Sequence, residues 1–169
     1  MEMKMYWQRL GCNSSRADAV FDDCMKEAKH LLSSDGLVSY IENARFIGKM
    51  GRGPEPLLVY LEEAPGVAGV VGEPALEDLR EFAHYMSTHT NFKSIVPFLQ
   101  TSGAVARRLQ SYEVFKHYIE LIRDMMDRTS GSVHGHHTTF PSPGLTDLLK
   151  QAPRLLTALS FEGFRNWVE

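Results

Sequence analysis

Between Arg16 and Leu32 the apolar residues Ala17, Val20, Phe21, Cys24, Ala28, Leu31 and Leu32 recur at intervals of three and four, with charged residues between them. That spacing puts them on one face of a helix. Ser15, followed three residues later by Asp18, reads as a capping-box-like start. A second helix is predicted from Asp35 through Leu37, Ile41, Ala44 and Ile47, ending at GKMGRGPEP, where glycines and Pro54 stop it and Pro56 restarts the chain. A third covers Leu57 to Val71. The next opens at Pro74, a residue favoured in a first turn, and sets Leu76, Leu79, Phe82, Ala83 and Met86 on one side. Ile95 to Leu109 and Val114 to Met126 form another pair, with Ser111 as the N-cap of the latter. The segment SFEGFRNWVE starts a last helix at Ser160 and carries Phe161, Phe164, Trp167 and Val168. Short apolar runs such as VAGVV sit inside helical spacing and lack alternation, so no strand is predicted.

Three of these segments superpose: LEEAPGVAGVV from 61, LQTSGAVARRL from 99 and LKQAPRLLTAL from 149. Leu61, Leu99 and Leu149 correspond, as do Ala64, Ser102 and Ala152; Val67, Val105 and Leu155; Ala68, Ala106 and Leu156; and Val71, Leu109 and Leu159. Each is followed by another amphipathic helix, and the offsets of 38 and 50 residues are near the length of one helical hairpin. The expectation is therefore an all-α fold, a HEAT-like array of stacked helical hairpins with seven or eight helices. Residues 1–52 form the first pair, 54–90 and 92–128 two repeats, 129–143 an insertion and 144–169 an incomplete last repeat. The short final helix leads to a further expectation, that the sequence is the N-terminal piece of a longer protein or that a partner covers this end.

Charge sharpens the picture. The net charge is −3, yet residues 51–90 hold seven acids against Arg52 and Arg80, while 91–128 hold six basic residues against four acids. An acidic and a basic face suit protein contacts better than nucleic acid. Cys12 and Cys24 have no further cysteine to complete a zinc framework or a disulfide scaffold, which indicates a reducing, cytoplasmic setting. No apolar run is long enough for a membrane span.

Candidate chemistry concentrates in SVHGHHTTFPSP, residues 132–143, with His134, His136 and His137. Imidazole is a common metal ligand, and His84, His89 or His117 is available to complete a set. No HExxH is present, however, and His84 and His89 are five apart and diverge around a helix. The plainer reading is a loop whose histidines bond backbone carbonyls and whose Pro141 and Pro143 stiffen the approach to the next helix. The SGS at 130 lacks the flanking glycines of a nucleophile elbow, and GKMGRG does not match a phosphate-binding loop. No catalytic residue, metal or cofactor is assigned. The adjacent carboxylates Glu62 and Glu63 and the adjacent Arg107 and Arg108 read as solvated helix surfaces.

The phrases GRGPEP, VYLEEAP and LSFEGFRNWV, with the runs around them from about residue 35 to 169, resemble the N-terminal helical region of large von Willebrand A-domain adaptor proteins that work with MoxR-type AAA+ ATPases. The resemblance implies a non-catalytic docking domain. ATP hydrolysis belongs to the partner hexamer, and the adaptor directs it to a client. SVHGHHTTFPSPGL favours the branch whose client is Rubisco blocked by inhibitory sugar phosphates; the alternative is nitric oxide reductase maturation. In the family the DxSxS metal motif lies in a C-terminal domain. Here DRTSGS at 127 has Thr129 and Gly131 where serines are required, so client contact falls to a region beyond this sequence and ATPase contact is the role expected of these residues. The surfaces expected to make it are an acidic helix bearing Glu62, Glu63, Glu77 and Asp78, a basic helix bearing Arg107 and Arg108, and the loop with His134, His136 and His137. A rival from another class is a small metal-dependent hydrolase built on those histidines.

Overall fold

Serine, proline and glycine set the helix ends in the computed structural model of the protein, which describes residues 14–50, 53–89, 92–130 and 142–168. The described residues form eight α-helices and one 3-10 turn, with no strand among them. The helices are α1 (Ser14–Leu31), α2 (Ser34–Lys49), α3 (Glu55–Val71), α4 (Ala75–Thr88), α5 (Ile95–Leu109), α6 (Tyr112–Ser130), α7 (Ser142–Ala158) and α8 (Phe161–Val168); the 3-10 turn, Phe92–Ser94, leads into α5. Pro54 and Pro74 immediately precede α3 and α4, where a missing N–H leaves no hydrogen bond unmade. The Ser33 hydroxyl accepts the Gly36 N–H at 3.0 Å, Ser111 that of Val114 at 3.4 Å and Ser160 that of Gly163 at 3.1 Å, so α2, α6 and α8 each carry a serine at the start. Gly72, with φ 116°, ends α3 in a conformation that disfavours any side chain. The sequence reading ended α6 at Met126, where the apolar stripe stops. The helix continues one turn to Ser130, with Arg128 in its last turn, where a cation suits the helix dipole.

The helices stack in two layers. Helices α1, α3, α5 and α7 lie side by side in one, with α3 against α5 and α5 against α7 making the most extensive packing in the molecule. Helices α2, α4 and α6 form the other, and α8 joins it through Phe164, whose ring centroid is 6.1 Å from that of Tyr118 on α6. This is the stacked-hairpin array that the repeat predicts. The superposed residues take equivalent places in it: Leu61, Leu99, Leu149, Ala64, Ser102, Ala152, Ala68, Ala106 and Leu156 are all buried, Val67 and Val105 are buried while their counterpart Leu155 is partly covered, and Val71, Leu109 and Leu159 line the layer's partly covered margin. The phenyl ring of Phe82 meets that of Phe98 edge-on at 4.8 Å, joining α4 to α5 across the two layers.

In α3 a backbone defect is repaired by the neighbouring helix. Pro65 lies inside the helix and has no N–H to give to the Leu61 carbonyl. The buried Tyr40 hydroxyl, from α2, donates to that carbonyl at 2.8 Å, and the Tyr60 hydroxyl donates in turn to the Tyr40 carbonyl at 3.2 Å. The two phenol rings stack with centroids 5.6 Å apart. The buried stripe of α2 is accordingly Gly36, Tyr40, Asn43, Ala44, Ile47 and Gly48, rotated from the Leu37–Ile41 line that hydrophobicity alone suggests.

Candidate functional site

The acids expected to form one contact helix are divided between two helices in different layers: Glu62 and Glu63 are on α3, Glu77 and Asp78 on α4. Most of them serve contacts within the array. Glu63 is half-buried where α3 meets α5, and a Cβ added at Gly103 would collide with its carboxylate, with the Arg107 guanidinium also close by. Burial pushes the Glu63 carboxyl above its ordinary range and the Arg107 charge pulls it back. Glu77 pairs with Arg80 at 2.7 Å on the exposed face of α4, and Glu81 approaches the same guanidinium at 3.7 Å. Arg80 also lies 5.2 Å from the Phe46 ring of α2. Asp78 is half-buried, and its hydrogen bond with Tyr112 is the main cause that raises that phenol to about 12. Glu62 remains exposed on α3. The correction has a simple cause: sequence proximity across the α3–α4 turn places residues in opposite layers, not on a common surface.

The arginines are arranged differently. Arg107 and Arg108, in the last turn of α5, line an open groove of about 670 Å³ between α5 and α7 together with Ala104, Pro153, Arg154, Thr157 and Ala158. All three guanidinium-bearing residues are exposed. Among the described residues, no carboxylate lines it. Ala104, Pro153 and Ala158 contribute only short side chains, and the Thr157 hydroxyl donates to the Pro153 carbonyl of its own helix at 2.8 Å, so the three arginines carry the charge of the lining. Arg154 was missed as a site residue by sequence reasoning, although its segment takes part in the repeat. The signal lies in the alignment: Arg154 falls one helix along from Ala104, fifty residues on, so the seam between those helices brings it to Arg107 and Arg108.

Histidines do not converge in the described part of the chain. His84 meets the Phe46 ring edge-on at 5.2 Å, His89 stacks on Tyr85 at 3.9 Å with Nδ1 2.8 Å from the Tyr85 carbonyl, and His117 lines a separate cleft with Glu120, Asp124, Phe161 and Arg165. Among the described residues no three His, Cys, Asp or Glu side chains are grouped to hold a metal. His134, His136 and His137 lie outside the described residues. Cys24 is buried, and desolvation, reinforced by Glu62, pushes its thiol up to about 12, so it is poorly suited to act as a nucleophile. No helix among the described residues is long and apolar enough to cross a membrane.

Fold and groove together define a class, an all-α helical-repeat array with a basic seam between two of its stacked helices. No protein-family model, curated protein or solved structure matches the chain.

Proposed function

We propose that this array is a non-catalytic docking domain that binds a MoxR-type AAA+ ATPase hexamer and helps to direct it to a client, with Rubisco as the client. The observation that carries the docking role is the open seam between α5 and α7, where Arg107, Arg108 and Arg154 gather on one surface, while Glu63 is half-buried between α3 and α5 and Glu77 is paired with Arg80. A stacked array of this kind provides a rigid, extended face, which is what a partner of many times its mass requires for a defined orientation. The choice of partner rests on the resemblance of GRGPEP, VYLEEAP and LSFEGFRNWV. In this structure the described residues of those phrases hold the Pro54 entry to α3, the Tyr60 and Pro65 arrangement within it and the serine-capped start of α8, so they are residues of the scaffold. The test is co-purification of the intact chain with the MoxR-type ATPase of the same organism, with nucleotide present to hold the hexamer. A stable complex that shifts on gel filtration is expected; a folded chain that elutes alone at micromolar concentrations of both would remove the reading.

A further inference from the structure

Two successive seams of the odd-numbered layer, α3/α5 and α5/α7, are built on the same plan but filled differently. In the α3/α5 seam the chain supplies its own carboxylate: Glu63 lies over Gly103 and beside Arg107. The residue equivalent to Glu63 in the next repeat, thirty-eight positions on, is Thr101, and its hydroxyl is spent on the Pro97 carbonyl of its own helix at 2.8 Å. The α5/α7 seam thus has Arg107, Arg108 and Arg154 in its lining and, among the described residues, no acid there. Arg107 already has the Glu63 carboxylate beside it, whereas, among the described residues, the like charges of Arg108 and Arg154 stand on neighbouring helices without one, and an anion that enters the seam relieves their repulsion.

We propose that the α5/α7 groove binds an acidic peptide segment of a partner protein, whose carboxylates take at Arg108 and Arg154 the place that Glu63 takes beside Arg107. This rests on the docking reading and names the chemistry of the partner's contacting segment. Guanidinium groups match carboxylates in a two-point geometry, which favours Asp or Glu side chains over a diffuse negative surface. Ala104, Pro153 and Ala158 bring to the lining no side chain long enough to keep a peptide backbone away. A nucleic acid is the poorer fit. Its phosphates need a broad basic footprint, whereas here three arginines stand on a chain of net charge −3 with exposed Glu62 on the neighbouring helix.

The experiment is fluorescence anisotropy of a labelled twelve-residue peptide of Glu, Asp and Ala titrated with the full chain at low ionic strength. A peptide of the same length with Gln and Asn in place of the acids, and a single-stranded oligonucleotide of twelve nucleotides, run in parallel. The acidic peptide is expected to bind at least tenfold tighter than either, and to lose at least tenfold in affinity with Arg108→Glu and Arg154→Glu together. Arg154→Lys, which keeps the charge but not the two-point geometry, is expected to lose a smaller factor. Helicity measured by circular dichroism shows whether the variants are folded, and because both arginines are exposed the Ala substitutions serve as a milder pair. Absence of acidic-peptide binding by the intact chain overturns the proposal, as do equal binding by the folded charge-reversed variant and an oligonucleotide that binds as tightly as the peptide. Light scattering that shows self-association abolished by the same two substitutions would also overturn it, by making a second copy the occupant. If the peptide binds as described while the ATPase does not co-purify, the groove assignment stands and the choice of ATPase falls. If the ATPase binds and the peptide does not, the reverse holds.

Discussion

Tyr40 shows how one residue can be buried for a reason that hydrophobicity does not express. Its hydroxyl is the donor that Pro65 fails to supply to the Leu61 carbonyl, inside a part of the array where water cannot substitute. Tyr40→Phe leaves that carbonyl unpaired and is expected to cost about 1–3 kcal/mol, measured by equilibrium urea unfolding. In a Pro65→Ala background residue 65 regains its N–H, the carbonyl is paired within α3, and the same Tyr40→Phe change is expected to cost less than half as much. Equal costs in the two backgrounds would show that the hydroxyl is not there to serve the proline. Gly103 gives a second case. Its missing side chain is the space that the Glu63 carboxylate occupies, so Gly103→Ala is expected to stabilise the chain by about 0.5–1 kcal/mol in a Glu63→Ala background and by less with Glu63 present, since the gain in helix propensity is then offset by displaced charge.

At the scale of an element, α2 begins where it does because two turns meet. The Ser33 N–H and hydroxyl both donate to the Glu73 carboxylate at 2.8 Å, and Glu73 lies in the turn between α3 and α4. Gly36 leaves the room in which this carboxylate lies, since a Cβ there would have to displace it. These two hydrogen bonds lower the Glu73 carboxyl below its ordinary value of 4.5. A carboxyl lowered on folding stabilises the fold above its unfolded value and loses that contribution as the pH falls through the folded one. Glu73→Ala is therefore expected to be less stable than the natural chain at pH 7, by about 0.5 kcal/mol once a cap's usual worth is discounted for exposure, and the difference should close as the pH drops below 4.5. Thermal melts of both chains at neutral and acid pH check this; a difference that persists unchanged in acid would assign Glu73 a role other than its charge. The start of α2 was legible as far as Ser33, since a serine before Asp35 and an apolar stripe is a familiar start signal. Glu73 was not, because forty residues separate it from the serine and only the stacking of α2 on α4 brings the α3–α4 turn to that helix end.

For the whole molecule, stacking makes stability uneven. Among the described residues, α3 and α5 are flanked on both sides within their layer, and α1 packs at one side, against α3 and α2. In such arrays the end units open first. Cys24, buried in α1 with its thiol pushed up to about 12, is a built-in reporter of that opening. In a Cys12→Ser variant, Cys24 is expected to react with a thiol reagent at urea concentrations below those at which amide hydrogens of α3 and α5 begin to exchange. Labelling that coincides with exchange in α3 and α5 would mean the array unfolds as one unit.

Read by itself, the sequence determined the helices and the repeat. Leu76, Leu79, Phe82, Ala83 and Met86 recur at helical spacing and all are buried, and the three aligned segments occupy equivalent places, because an apolar stripe on a helix has to be covered and a stacked neighbour is the nearest cover. It also marked Arg107 and Arg108. The tertiary structure alone decided which charges share a surface. It divided Glu62 and Glu63 from Glu77 and Asp78 between two layers, turned Glu63 into an internal neighbour of Arg107, and brought Arg154 to Arg107 and Arg108 across a groove. The physical reason is that burial is encoded locally, in the periodicity of one helix. The company a surface charge keeps depends on which helices are adjacent and on how each is rotated about its axis, and that is set only when the stack has formed.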